Sequence, residues 1–132
     1  MPEVHILAGS KSDEEIVSRI AKKLEEKGIT FKIDYVSAHR EPERAREIVK
    51  SSDAHVFIAV AGLSAALPGF VASLTAKPVI GVPVKGKNSA LDGLDALLSI
   101  VQMPKGVPVA CVGINAAENA ALLAERILKA CK

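Results

Sequence analysis

Two hydrophobic periods alternate along this chain. Val4, His5, Ile6, Leu7 and Ala8 form a run rich in branched side chains that stops at Gly9, as a strand buried on both faces of a parallel sheet would. From Ser12 the spacing changes. Ile16, Val17, Ile20, Ala21 and Leu24 recur on one helical face, while Glu14, Arg19, Lys23 and Glu26 fall elsewhere. Ser12 and Glu15 have capping-box spacing, Lys22, Lys23 and Lys27 suit the negative end of the dipole, and Gly28 stands where a left-handed terminator belongs. The same unit then repeats. Residues 31–36 read as a strand, 42–50 as a helix opened by proline, and 56–60 as a third strand. A helix over 64–74, a strand over 79–82, a helix over 91–100, a strand over 107–112 and a helix over 116–130 complete the series.

Five strand and helix units in strict alternation, joined by right-handed crossovers, predict an α/β fold. It is a three-layer α/β/α, doubly wound parallel sheet of the flavodoxin-like kind, and residues 1–132 read as a single catalytic domain. Residues 63–74 carry no charged side chain and are apolar all round apart from Ser and Gly. A surface helix would not look like that, so the third helix is expected to pack against other copies of the chain in a homo-oligomer.

Composition narrows the function. With 49% hydrophobic residues in 132, the chain has ample material for one core. The 17 basic and 15 acidic residues nearly cancel, which argues against a broad field for nucleic acid or a membrane surface. No apolar stretch reaches the roughly 18 residues of a membrane helix. Cys111 and Cys131 have no metal-ligand spacing and no signal peptide accompanies them, so the expected setting is reduced and cytoplasmic, with one core thiol and one tail thiol.

Ligands of a doubly wound sheet gather beyond the carboxyl ends of its strands. After the first strand, Gly9-Ser10-Lys11-Ser12-Asp13 combines a glycine turn, two hydroxyls and a helix amino terminus, which suits phosphate; Asp13 could accept from a ribose. The same residues would also serve as an ordinary cap. After the second strand, Ser37-Ala38-His39-Arg40 sets an imidazole beside a guanidinium: a proton carrier near neutral pH and a clamp for phosphate or carboxylate. A solvated helix entrance would look similar. His5 and His55 lie in or beside strands and read as structural. Small residues over 61–69, Ala61 and Gly62 among them, let backbone approach a ligand or let helices pack closely. Pro83, Val84, Lys85, Gly86, Lys87 and Asn88 form a cationic loop that is either solvated or able to close over an anion.

Taken together, Gly9-Ser10-Lys11-Ser12-Asp13, Ser37-Ala38-His39-Arg40 and Leu67-Pro68-Gly69 resemble the carboxyaminoimidazole ribonucleotide mutases of purine biosynthesis. Residues 78–84 and 93–109 extend the resemblance over nearly the whole chain. It implies an octamer with active sites between subunits, a ribonucleotide substrate, and neither metal nor organic cofactor. It also implies that Ser10, Ser12 and Arg40 hold the substrate phosphate, Asp13 the ribose, and the backbone at Ala61 and Gly62 the base. Ser37 is counted among the substrate-binding residues and His39 takes the catalytic place. The implied reaction moves a carboxyl group from the exocyclic nitrogen of 5-(carboxyamino)imidazole ribonucleotide to the ring carbon, with an ATP-dependent carboxyaminoimidazole ribonucleotide synthase as functional partner. Ser64 and Ala66, the latter where the mutases usually have a second histidine, instead resemble the sister group that carboxylates aminoimidazole ribonucleotide directly, and that alternative stays open. Other classes fit less well. Strand three lacks the terminal aspartate of a receiver module, three Phe, one Tyr and no Trp give few rings for a flavin, and an assembly subunit would not need the His39 cluster.

Overall fold

The computed structural model describes residues 2–131. Five strands, β1 (Val4–Ala8), β2 (Phe31–Tyr35), β3 (Val56–Gly62), β4 (Val79–Val84) and β5 (Ala110–Cys111), form one parallel sheet in the order β2-β1-β3-β4-β5. The order reverses between β1 and β3, the switch point at which such sheets open a crevice. Helices α1 (Glu14–Glu26) and α5 (Ala117–Ala130) cover one face; α2 (Pro42–Ser51), α3 (Leu67–Ala72) and α4 (Leu94–Val101) cover the other.

Strand alternation builds the two cores. Val4, Ile6, Ala8, Val56, Ile58 and Val60 pack towards α1 and α5, whereas Leu7, Phe57, Ala59 and Ala61 pack towards α2, α3 and α4. Ile16, Val17, Ile20 and Leu24 of α1 are buried, and each such side chain contributes about 1.5–3 kcal/mol. Gly28, at φ 69°, ends α1 as expected: its N–H reaches Glu25 O, and that of Ile29 reaches Leu24 O.

Several expectations are revised. The capping box at Ser12 and Glu15 does not form; instead Ser10 Oγ accepts from Ser12 N–H and caps a short 3₁₀ turn over Lys11–Asp13, from which α1 grows. Helix α3 begins at Leu67 rather than 64, because Leu63 turns to φ 57° and Pro68 fits only a first helical turn. Its missing charges have an internal explanation: Leu67, Pro68 and Val71 are buried, and Phe70 packs partly against the same core. Among the large exposed apolar side chains, Leu94, Leu98 and Val101 share one face of α4, and Leu63, Leu91 and Ile114 lie in connecting segments. Helix α4 starts at Leu94 and not 91, since Asp92 and Gly93 both take positive φ. Strand β5 shrinks from 107–112 to two residues; Pro108 has no N–H to give a ladder.

Towards the amino ends of β1 and β3, His5 is 2% exposed and fully engaged. Its Nδ1 lies 2.8 Å from Ser52 Oγ, its Nε2 lies 2.7 Å from Asp34 Oδ2, and its ring stacks on Phe57. It is structural, as the sequence suggests. Burial raises the Cys111 thiol, which donates to Val112 O, while Cys131 is exposed. No helix among the described residues is long and apolar enough to cross a membrane.

Candidate active site

A cavity of about 1100 Å³ opens at the carboxyl ends of β1, β3 and β4. Every residue singled out for binding or chemistry lines it: Ser10, Ser12 and Asp13 after β1, Ser37, His39 and Arg40 after β2, and Ala61 and Gly62 at the end of β3. Three segments far apart in the chain are thus brought to one space by the parallel topology, because each follows a strand that ends at the same edge of the sheet.

On the β1 side, the 3₁₀ turn places the two serines lip to lip. Ser12 Oγ donates to Ser10 Oγ at 3.0 Å, and the N–H groups of Ser12 and Asp13 turn back onto Ser10 Oγ and Ser10 O. Asp13 is buried at the cavity wall, 6% exposed, and makes no side-chain cap for α1. Burial raises its carboxyl above the ordinary value, opposed by a hydrogen bond from the Ser10 backbone. A desolvated carboxylate facing a cavity suits ligand hydroxyls better than phosphate.

On the β2 side, Ser37 builds the turn that carries the imidazole. Its Oγ accepts from Arg40 N–H at 3.1 Å and its carbonyl accepts from Glu41 N–H at 2.9 Å, leaving Pro42 to open α2. His39 and Arg40 are both exposed, and among the described residues neither side chain has a hydrogen-bond or ion-pair partner. Arg44 is different: its Nη1 donates to Tyr35 O at 2.8 Å. An unpartnered imidazole and guanidinium facing a cavity that also holds two hydroxyls and a carboxylate can bind an anion and exchange a proton with whatever it carries.

The floor is backbone. Gly62 pairs with Val84, and a Cβ on Gly62 would stand 3.3 Å from Val84 O, so the glycine keeps the two strand ends close. Ser64 and Ala66 also line the cavity, with the strained Leu63 leading into them. Among the described residues no three His, Cys, Asp or Glu side chains gather as a metal site would.

The sequence profile of the AIR carboxylase family matches residues 3–132. The chain belongs to the AIR carboxylase family. Among its relatives, the N5-carboxyaminoimidazole ribonucleotide mutase of Methanocaldococcus jannaschii is 60% identical over 123 residues, covering 93% of this chain and 76% of the relative. The phosphoribosylaminoimidazole carboxylase of Saccharomyces cerevisiae is 52% identical over 132 residues, but this chain spans only 23% of it. The crystal structure of Treponema denticola PurE superposes with a TM-score of 0.85 at 34% identity, covering 98% of this chain and 81% of that one.

In this member of the AIR carboxylase family the cavity also has walls that sequence reasoning missed. Glu15, Arg19 and Asn115 line it. Arg19 forks onto Glu118 of α5, with Nε 2.9 Å from Oε2 and Nη2 2.7 Å from Oε1, which ties α1 to α5 at the rim and draws Glu118 down to about 2. Nothing local marks that pair in the sequence, since its members are 99 positions apart. Asn115 does leave a signal, an Asn at a strand-to-helix junction, where a left-handed conformation is common.

Proposed function

We propose that this chain converts 5-(carboxyamino)imidazole ribonucleotide into 4-carboxy-5-aminoimidazole ribonucleotide in purine biosynthesis, with His39 as proton carrier. The observation that carries the reading is the convergence of the β1 hydroxyl turn, the buried Asp13 and the unpartnered His39 and Arg40 on one cavity. Ser10, Ser12 and Arg40 take the phosphate; Asp13 takes the ribose hydroxyls; Ser37 holds the His39 turn; and the backbone at Ala61 and Gly62 faces the base.

The steps balance without an added reactant. The carbamate N–C bond breaks and its electrons return to the exocyclic nitrogen, which takes a proton from the His39 imidazolium. The ring carbon then attacks the carbon dioxide, a C–C bond forms, and neutral His39 removes the proton from that carbon. His39 ends as it began, and one carboxyl group has moved. The small apolar residues over 61–69 suit a pocket that must hold carbon dioxide between the two steps.

In a single chain the His39 side of the cavity is open to water. That opening and the exposed Leu94, Leu98 and Val101 support a homo-oligomer, an octamer by family likeness, in which a neighbouring copy covers the site. A cytoplasmic setting and a separate ATP-dependent synthase that makes the carbamate fit the same chemistry.

The direct carboxylase is the second reading, favoured by Ala66 at the cavity wall, which offers no second proton carrier. The deciding experiment gives the protein the carbamate nucleotide in one arm, and aminoimidazole ribonucleotide with bicarbonate in the other, and follows the carbon-carboxylated product. Turnover from the carbamate alone is the expected result. Turnover from the free amine and carbon dioxide assigns the carboxylase, and no product in either arm overturns both.

A further inference from the structure

The cationic loop over residues 85–88 is held at both ends by side chains that neither belong to the catalytic set nor stand near it in sequence. At its start, Asn115 Oδ1 accepts from Lys85 N–H at 2.9 Å, while Asn115 N–H donates to Pro83 O at 2.8 Å. On its other side Lys85 is flanked by Gly93, where an added Cβ would stand 3.2 Å from Lys85 Cβ and 2.9 Å from Ile114 Cγ2. At the loop's end, Ser89 Oγ donates to Asp95 Oδ1 at 2.8 Å and accepts from Gly93 N–H at 2.7 Å, and Ser89 N–H closes a turn onto Gly86 O. Lys85 directs its ammonium towards Asp92, 3.9 Å away and exposed. Lys87, beyond Gly86, has no ion-pair partner among the described residues and lines the same cavity as Ser10 and Arg40.

We propose that Asn115 is a positioning residue for the reaction: through Lys85 it fixes the 85–88 loop so that Lys87 meets an oxyanion of the substrate. The backbone supports this. Asn115 takes φ 58°, a conformation that Asn, Asp and Gly tolerate and other residues resist. Asn and Asp offer the side-chain acceptor that Lys85 needs, and Gly does not. Three residues therefore separate the two demands, shape and hydrogen bond, at one position. The substrate carries two kinds of oxyanion, a phosphate and a carboxylate, and the loop's charge serves either.

The test rests on the mutase reading and is built so that the two fail separately. Asn115→Gly is expected to raise KM for the carbamate nucleotide about five- to tenfold, the worth of one hydrogen bond, with kcat within about twofold. Asn115→Asp restores KM. Lys87→Met raises KM at least as far, and adding Asn115→Gly to it produces little further change, because the asparagine acts through the lysine. Calorimetry with aminoimidazole ribonucleotide, which keeps the phosphate and lacks the carboxylate, locates the contact: weakened binding in Lys87→Met assigns the phosphate, and undiminished binding alongside a raised KM assigns the carboxylate.

A second readout needs no activity. Trypsin cleavage after Lys85 and Lys87 is expected to quicken about five- to tenfold in Asn115→Gly and to stay at the native rate in Asn115→Asp, at matched melting temperature. Native KM and native cleavage in Asn115→Gly, or full additivity with Lys87→Met, overturns the proposal. A wild-type protein that turns over neither substrate overturns the mutase reading instead, and the cleavage rates still decide whether Asn115 holds the loop.

Discussion

His5 and His39 occupy opposite ends of the sheet and opposite electrostatic conditions. Towards the amino end, His5 is buried, stacked on Phe57 and bonded at both ring nitrogens, beside a cavity of about 400 Å³. Towards the carboxyl end, His39 is exposed, has no partner among the described residues, and faces a cavity of about 1100 Å³. A ring whose two nitrogens are both occupied holds the fold together; a ring with both nitrogens free has capacity left for a substrate. Free ring nitrogens alone do not mark a site, since the exposed His55 also has no side-chain partner among the described residues; His39 differs from it in lining the large cavity.

The comparison breaks most visibly at His39. His39→Asn is expected to lower kcat by about 10²- to 10⁴-fold, with the urea midpoint unchanged. Activity that survives would return the carboxyl-end cluster to the status of a solvated helix entrance. His5→Ala should do the reverse. It removes a buried ring and strands Asp34 and Ser52, costing about 2–4 kcal/mol in urea unfolding at fixed protein concentration, while kcat stays native. Ser52→Ala sharpens the same point at smaller cost, about 1 kcal/mol, since it leaves the His5 to Asp34 contact in place.

The smallest effect belongs to the rim. Glu118 ordinarily titrates near 4.5 and is held at about 2, first by the Arg19 hydrogen bonds. Its pKa is depressed by folding, so its stabilisation is present above 4.5 and is lost as pH falls towards 2. Both side chains are more than a third exposed, so solvent screening leaves this contribution at about 0.5–1 kcal/mol. Glu118→Gln should remove that amount at neutral pH and flatten the acid limb over the same window. An unchanged acid limb would mean that the fork between α1 and α5 contributes nothing.

How much of this was legible in the sequence follows from how local each cause is. Helix α1 was legible because a 3.6-residue period and Gly28 both lie within it. That the eight candidate residues would share one cavity was legible because each lies at or just beyond the carboxyl end of a strand, and a parallel sheet sends every such position to one edge. The late start of α4 was foreshadowed by Asp92-Gly93, a turn pair whose positive φ values outweigh the apolar Leu91. The shortness of β5 was only partly legible: residues 107–112 read as a strand, Pro108 was the one local sign against it, and the edge position beside β4 leaves pairing at Ala110 and Cys111 alone. The Arg19 to Glu118 fork and the Asn115 to Lys85 hydrogen bond were hidden for the same reason, since each joins elements whose proximity exists only after the sheet has formed.

The reversal of strand order between β1 and β3 also sets a timetable. Ala8 lies opposite Val60, and Gly9 N–H donates to Val60 O, across an interval of roughly fifty residues that includes all of β2 and the His39 turn. A chain emerging from the ribosome can therefore pair β2 with β1, which sets the hydroxyl turn beside the imidazole, before it has the strand that pairs with the other side of β1. Closing that loop carries an entropic cost and brings Ala61 and Gly62 to the hydroxyl turn, while the walls of the cavity over 84–88 and at Asn115 arrive only with β4 and the segment after β5. Substitutions that loosen the pairing of β1 with β3 should accordingly slow refolding and delay the return of activity together, with no interval in which one has recovered and the other has not.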